Sequence, residues 1–300
     1  MSKRIAKNEL RHCFLLADIV RLSMRRYHRA MFAKAIVRPP AQNFAEGLTT
    51  AGLGVPDFKR ALEQHEAYCA ALERCGLTLI RLDADPNYPD SCFVEDAAIV
   101  IPEFAFQCAR VPTPTRVVLT RPGAASRTGE VASMRAALEQ AAPELAIEEI
   151  QPPGTLDGGD ICEAGEHYFI GLSERTNEAG AEQLAQLVTE HGYTAGFIDI
   201  RGNNSLLHLK SGLAYLGDNR LVVAESLAGL KEFDDYEVVP VPSGAEYAAN
   251  CVRVNDYVLV ASGFDQFEEK LKNLGYQTLA LEMSEFQKMD GGLSCLSLRW

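Results

Sequence analysis

The sequence predicts an α/β fold of repeated units, and two observations lead there. Between Met31 and Trp300, short apolar runs of strand length alternate with segments of helical spacing. A short run carrying polar residues also returns near positions 93, 157, 208, 250 and 295. A recurrence of roughly 40–60 residues is of the kind that marks radial arrays. No linker, low-complexity tract or charge block divides 31–300, so one domain is expected there.

Phe32 to Arg38 reads as a strand, and Gly47 to Gly52 as a glycine-rich loop. Pro56 and Asp57 open a helix with Phe58, Ala61, Leu62, His65, Tyr68, Cys69 and Leu72 at helical spacing, stopped at Gly76. Leu77 to Leu82 follows as a strand, and Asp85 to Asp90 is a turn-rich loop. Phe93 to Ile101 and Arg116 to Leu119 form a strand pair, then Glu130 to Gln140 a helix and Ile147 to Ile150 a strand. The cycle returns with Gly165 to Gly171, helix Glu178 to Glu190 and strand Phe197 to Ile200. It returns again through Leu206 to the strand Leu221 to Ala224, and once more through Cys251 to Ala261, helix Glu268 to Leu274 and strand Gln277 to Leu281. The end, Asp290-Gly291-Gly292-Leu293-Ser294-Cys295, reads as a glycine turn with positive φ entering a buried strand, with Cys295 at the junction.

Composition narrows the function. A content of 47% hydrophobic and 23% charged residues is that of a soluble globular protein. The net charge of −12 argues against nucleic acid and suits a cationic small substrate. Residues 1–30 carry eight Lys/Arg and two acids, a charge of +6 that leaves −18 to the rest, and read as a basic extension lacking a secretory cleavage pattern. The apolar run Cys13 to Val20 is too short to span a membrane. The eight cysteines show no zinc spacing and read as reduced thiols of a cytoplasmic protein.

Four clusters break the apolar pattern. Asp90, Glu95 and Asp96 sit beside a strand in which the last two would face opposite ways, and no nearby Lys or Arg neutralises them, so a ligand cation would serve. Asp157-Gly158-Gly159 fits a hairpin turn as well as a site. His208 lies in an apolar run, where a hydrogen-bonded core histidine is the common case. Arg127 and Arg175 lie in loops, where surface charge is the default. Cys295 alone would fit a core thiol. Together they are the parts of thiol-based acyl or amidino transfer, with arginines for a carboxylate and paired acids for a guanidinium.

Pro89 to Asp96, Thr155 to Asp160, His208-Leu209-Lys210, Ala248 to Cys251 and Asp290 to Arg299, in this order, resemble the dimethylarginine dimethylaminohydrolases of the guanidino-group-modifying (pentein) superfamily. The resemblance covers nearly all of 31–300 and implies a five-bladed α/β propeller of pseudo-fivefold ββαβ repeats. It implies hydrolysis of Nω,Nω-dimethyl- and monomethyl-arginine to citrulline through a thiouronium on Cys295, with His208 as general acid/base and Asp157 as the third catalytic carboxylate. Asp90, Phe93, Glu95 and Asp96 would surround the guanidinium, Arg127 and Arg175 hold the α-carboxylate, and Leu48 and Met289 face the α-amino group. It implies no cofactor, no metal, no nucleic acid and no membrane, and leaves a homodimer open. An arginine deiminase, an amidinotransferase and a catalytically silent arginine-derivative binder are the alternatives; the last would be expected to lack Cys295 or His208, and both are present.

Overall fold

The computed structural model describes residues 32–102, 115–203 and 205–300. The expected extension 1–30 lies outside them. Among the described residues no helix is long and apolar enough to cross a membrane.

Among the described residues, fifteen strands make five three-stranded sheets of one design. Strands β1 (Lys34–Val37) and β2 (Thr78–Arg81) pair in parallel across helix α1 (Phe58–Arg74), and β15 (Leu298–Arg299) joins β1 antiparallel from the far end of the chain. The second sheet is β3 (Ala98–Ile101), β4 (Arg116–Leu119), helix α2 (Glu130–Ala141) and β5 (Ala146–Glu149). The third is β6 (Ile161–Ala164), β7 (His167–Leu172), helix α3 (Glu178–Glu190) and β8 (Thr194–Asp199). The fourth is β9 (Leu213–Gly217), β10 (Arg220–Val223) and β11 (Glu237–Pro240). The fifth is β12 (Val252–Val254), β13 (Tyr257–Ala261), helix α4 (Asp265–Asn273) and β14 (Gln277–Leu281).

Local chemistry accounts for the helix ends. Asp57 caps α1 by accepting from the Arg60 amide, and Gly76 just beyond it takes φ +94°. Asn177 caps α3 in the same way through Gly180. The fourth unit departs from ββαβ: its crossover holds two 3₁₀ turns, Glu225–Leu227 and Lys231–Phe233, separated by Gly229 at φ +79°, a conformation that no helix continues through.

The middle strands explain why five sheets make a ring. Each is buried on both faces, and its alternate side chains enter different cores. Ile36 packs with Val117, Leu119 and Met134, whereas Ala35 and Val37 pack with Val254 and Leu259 of the fifth sheet. Val118 meets Tyr168 and Ile170; Phe169 meets Leu221 and Val223; Val222 meets Val258 and Val260. Leu259 and Ala261 then return to the first sheet's cluster, closing a five-bladed α/β propeller.

A 3₁₀ turn precedes each inner strand: Val94–Ala97, Gly158–Asp160, Leu209–Ser211, Glu246–Ala249 and Ser294–Leu296. These are the places where the polar run recurs in the sequence. Two expectations are corrected here. Glu95 and Asp96 lie on a turn and not on a strand, so neighbours in sequence are not sent to opposite faces, and both are buried. Cys295 likewise sits within a turn, before the strand begins.

Candidate active site

The turns approach so closely that some positions tolerate no side chain. A Cβ on Gly159 would lie 2.6 Å from His208 Nδ1 and 2.9 Å from Asp96 Oδ1. A Cβ on Gly292 would overlap the Asn250 amide. Neither glycine has positive φ; in the C-terminal loop that conformation falls to Asp290 at φ 57°. The glycine pairs therefore serve close approach, where the sequence suggested a hairpin turn in one case and positive φ in the other.

His208 is buried, and its Nε2 lies 3.2 Å from Asp157 Oδ2. Asp157 is fixed in turn, with Oδ1 accepting from the Gly123 amide at 2.9 Å and its own amide donating to Thr176 Oγ1. Burial alone would lower the imidazole pKa, but the carboxylates of Asp96, Asp160 and Asp157 outweigh it and raise His208 to about 9. The ring is therefore protonated at neutral pH. Asp96 accepts from the Gly159 amide at 2.8 Å and from Arg127 Nη1 at 2.6 Å. Burial pushes Asp96 up, but His208 and Arg127 together hold it at about 2.

Asp96, Asp157 and His208 present ligand atoms within 4.8 Å of one another, a spacing that could hold a metal ion. Each atom set already has an internal partner: Asp96 on Arg127 and Gly159, Asp157 on His208 and Gly123.

Cys295 stands apart from the other described cysteines. Cys69, Cys75, Cys92, Cys162 and Cys251 are buried, whereas Cys295 is half-buried. Its thiol is pushed up to about 12, first by desolvation and then by Glu95 and Asp96, with the Gly292 backbone and Lys210 pulling the other way. Glu95 lies beside it, with Oε1 accepting from Lys210 Nζ at 2.6 Å and Arg299 Nη2 at 3.1 Å. The cation that the local sequence did not offer thus arrives from elsewhere in the chain. Glu95 Oε2 remains buried without a hydrogen-bond partner, an acceptor left over for a ligand donor.

The substrate-end residues divide. Asp90 is buried and accepts from the Leu48 amide with both oxygens at 3.1 Å; desolvation raises its pKa against Arg127 and that amide. Phe93 packs against Phe44 and Phe286, forming an apolar wall. Leu48 is 42% exposed on the loop above Asp90, whereas the Met289 side chain is buried in the first sheet's core. Arg175 is half-buried; among the described residues its guanidinium makes no side-chain hydrogen bond, and its charge helps to lower the Asp90 pKa. Arg127 is buried on Asp96, Glu130 and the carbonyls of Asp90 and Phe93.

Several contributors had no signal in local sequence. Asp160 is fully buried, accepting from Ser173 Oγ, Thr176 Oγ1 and the Leu209 amide, so it holds the His208 turn. Lys210, Arg299 and Asn250 join the site only through long-range contacts, and Glu130 joins it through Arg127 three residues earlier. The recurrence of polar residues could have flagged Asn250, the fourth member of the repeat, and the resemblance covers it without giving it a role.

Comparison with known proteins fits this geometry. A family model described as arginine deiminase matches residues 113–237. An N(G),N(G)-dimethylarginine dimethylaminohydrolase of Pseudomonas aeruginosa is 39% identical over 270 residues, covering 90% of this chain and all of that protein. The structure of a cysteine-to-serine mutant of the Pseudomonas aeruginosa enzyme complexed with citrulline superposes with a TM-score of 0.81 at 38% identity, covering 90% of this chain and 100% of that one. A histidine-to-glycine dimethylarginine dimethylaminohydrolase, as an adduct with S-methyl-L-thiocitrulline, matches with the same score, identity and coverage.

Proposed function

The chain belongs to the dimethylarginine dimethylaminohydrolase family, and on that footing we propose that it hydrolyses Nω,Nω-dimethyl-L-arginine, and the monomethyl compound, to L-citrulline and dimethylamine or methylamine. One observation carries the reading: the half-open cysteine lies against Glu95 and Asp96 while Asp96 and Asp157 grip a protonated imidazole.

The substrate guanidinium settles against Asp96 and the unpartnered Oε2 of Glu95, with Asp90 and the Phe93 wall around it. Arg175 takes the α-carboxylate. Arg127 holds Asp96 in place, and the main chain at Leu48 and Met289 meets the α-amino group. The cation draws the thiol toward thiolate, its proton passing to solvent, and Cys295 Sγ attacks the central carbon. His208 gives its proton to the departing dimethylamine as the C–N bond breaks, leaving a thiouronium on sulfur. The imidazole then takes a proton from water, whose oxygen attacks the same carbon; the C–S bond breaks and citrulline leaves. Asp157 keeps the ring oriented for both transfers. The net charge of −12 suits a cationic substrate, and the free thiols among the described residues support a cytoplasmic setting.

The family-model match favours a second reading, an arginine deiminase releasing ammonia. Citrulline, dimethylamine and ammonia measured side by side from dimethylarginine and arginine separate the two. Dimethylamine in step with citrulline, abolished in Cys295→Ser with substrate binding retained, is the expected result. Faster ammonia release from arginine would overturn it in favour of the deiminase.

A further inference from the structure

We propose that Asn250 is a positioning residue that sets the His208 imidazole and the Cys295 thiol in one reacting geometry; the proposal rests on the reaction read above. Asn250 closes the turn Glu246–Ala249 at 7% exposure, between the turns that carry the two groups. Its Nδ2 donates to the Lys210 carbonyl oxygen at 2.9 Å and to Ser294 Oγ at 3.2 Å. Its Oδ1 accepts from the Ser294 amide at 3.0 Å. Lys210 lies two residues after His208, and Ser294 immediately precedes Cys295.

The two turns begin different sheets, and among the described residues no backbone–backbone hydrogen bond joins them. The other link between them, Lys210 through Glu95 to Arg299, runs along three long side chains. Asn250 is the short, planar connection, and it uses both amide hydrogens and the carbonyl oxygen at once. Aspartate keeps the shape and loses both donors; glutamine adds a methylene where Gly292 leaves room for none. An error of about 1 Å between reacting groups can cost ~10²-fold in rate, so a three-bond strut at this joint bears on chemistry more than on binding.

The test compares Asn250→Ala and Asn250→Asp with the unaltered enzyme. It uses steady-state citrulline formation and single-turnover adduct formation by intact mass, each in the native and His208→Gly backgrounds. The expected result is kcat lowered about 100-fold with KM within about threefold, and adduct formation in the His208→Gly background slowed by less than about twofold further. A kcat within about twofold of native overturns the proposal, and so does equal slowing of adduct formation in both backgrounds, which would place Asn250 behind Cys295 alone. Should the Ala variant fail to fold, Asn250→Asp carries the test, and Ser294→Ala, which removes the Oγ contacts to both Asn250 Nδ2 and Cys295 Sγ, must also lower kcat at unchanged KM; an unchanged kcat overturns the strut. An unaltered enzyme that makes no citrulline from methylated arginines sinks the reaction and the strut together; one that does, with unchanged Asn250 variants, sinks the strut alone.

Discussion

The state of Cys295 before substrate arrives is open to direct test. With its thiol at about 12, roughly one molecule in 30,000 carries a thiolate at pH 7.5 in the empty enzyme. A guanidinium about 4 Å away, at an effective dielectric near 20, is worth about 4 kcal/mol, enough to bring the thiol to about 9 and multiply the thiolate about a thousandfold. Iodoacetamide alkylation of the free enzyme, followed at Cys295 by peptide mass spectrometry, should therefore rise about tenfold per pH unit from 7 to 10 with no plateau. Single-turnover adduct formation with dimethylarginine should stop rising near pH 9, where thiolate is no longer scarce and His208 begins to lose its proton. An alkylation plateau already reached between pH 7 and 8 would refute this. It would mean that Cys295 and His208 form a thiolate–imidazolium pair in the empty site and that substrate assistance is not needed.

Other consequences follow from the same contacts. His208→Gly should form the covalent adduct slowly and fail to release citrulline; intact mass showing no adduct after long incubation would contradict its assignment. Gly159→Ala pushes a methyl group into the His208 ring and the Asp96 carboxylate, so kcat should fall at least 100-fold with a stability loss of about 1–3 kcal/mol; near-native kcat would show that the turn can move aside. His208 has a folded pKa above its unfolded value of about 6.5, so its contribution to stability is complete below that pH and is lost as pH rises toward about 9. Denaturant titrations should show unfolding free energy dropping by up to about 3 kcal/mol across that window, with the drop absent in His208→Asn. A chain beginning at Met31 should keep full activity; a large loss of rate or melting temperature would tie residues 1–30 to the enzyme.

Much of the fold was legible because its causes are local. The middle strands are nearly continuous apolar runs, and the period of two in side-chain direction feeds each strand into both neighbouring cores. Asp57, Gly76 and Asn177 announce helix ends by hydrogen bonds within a few residues. The fourth unit's missing helix was not announced beyond Gly229, since a crossover that short can close on 3₁₀ turns with equal ease. The strand expected from Phe93 to Ile101 begins only at Ala98 for another reason: the backbone before it bends so that two adjacent carboxylates can both enter the site, and no local pattern encodes a partner elsewhere in the chain.

From the sequence alone came the chemical inventory: a thiol, an imidazole and an acid, each on its own repeat, with further carboxylates and arginines between them. Tertiary structure alone decided how those groups are charged. Glu95 is answered by Arg299, 204 residues away, and by Lys210; Asp96 is answered by the buried Arg127. The physical reason is that burial and pairing set a group's pKa and its free hydrogen-bonding valences, and both are properties of the closed ring, in which the last strand completes the first sheet and brings Cys295 with it.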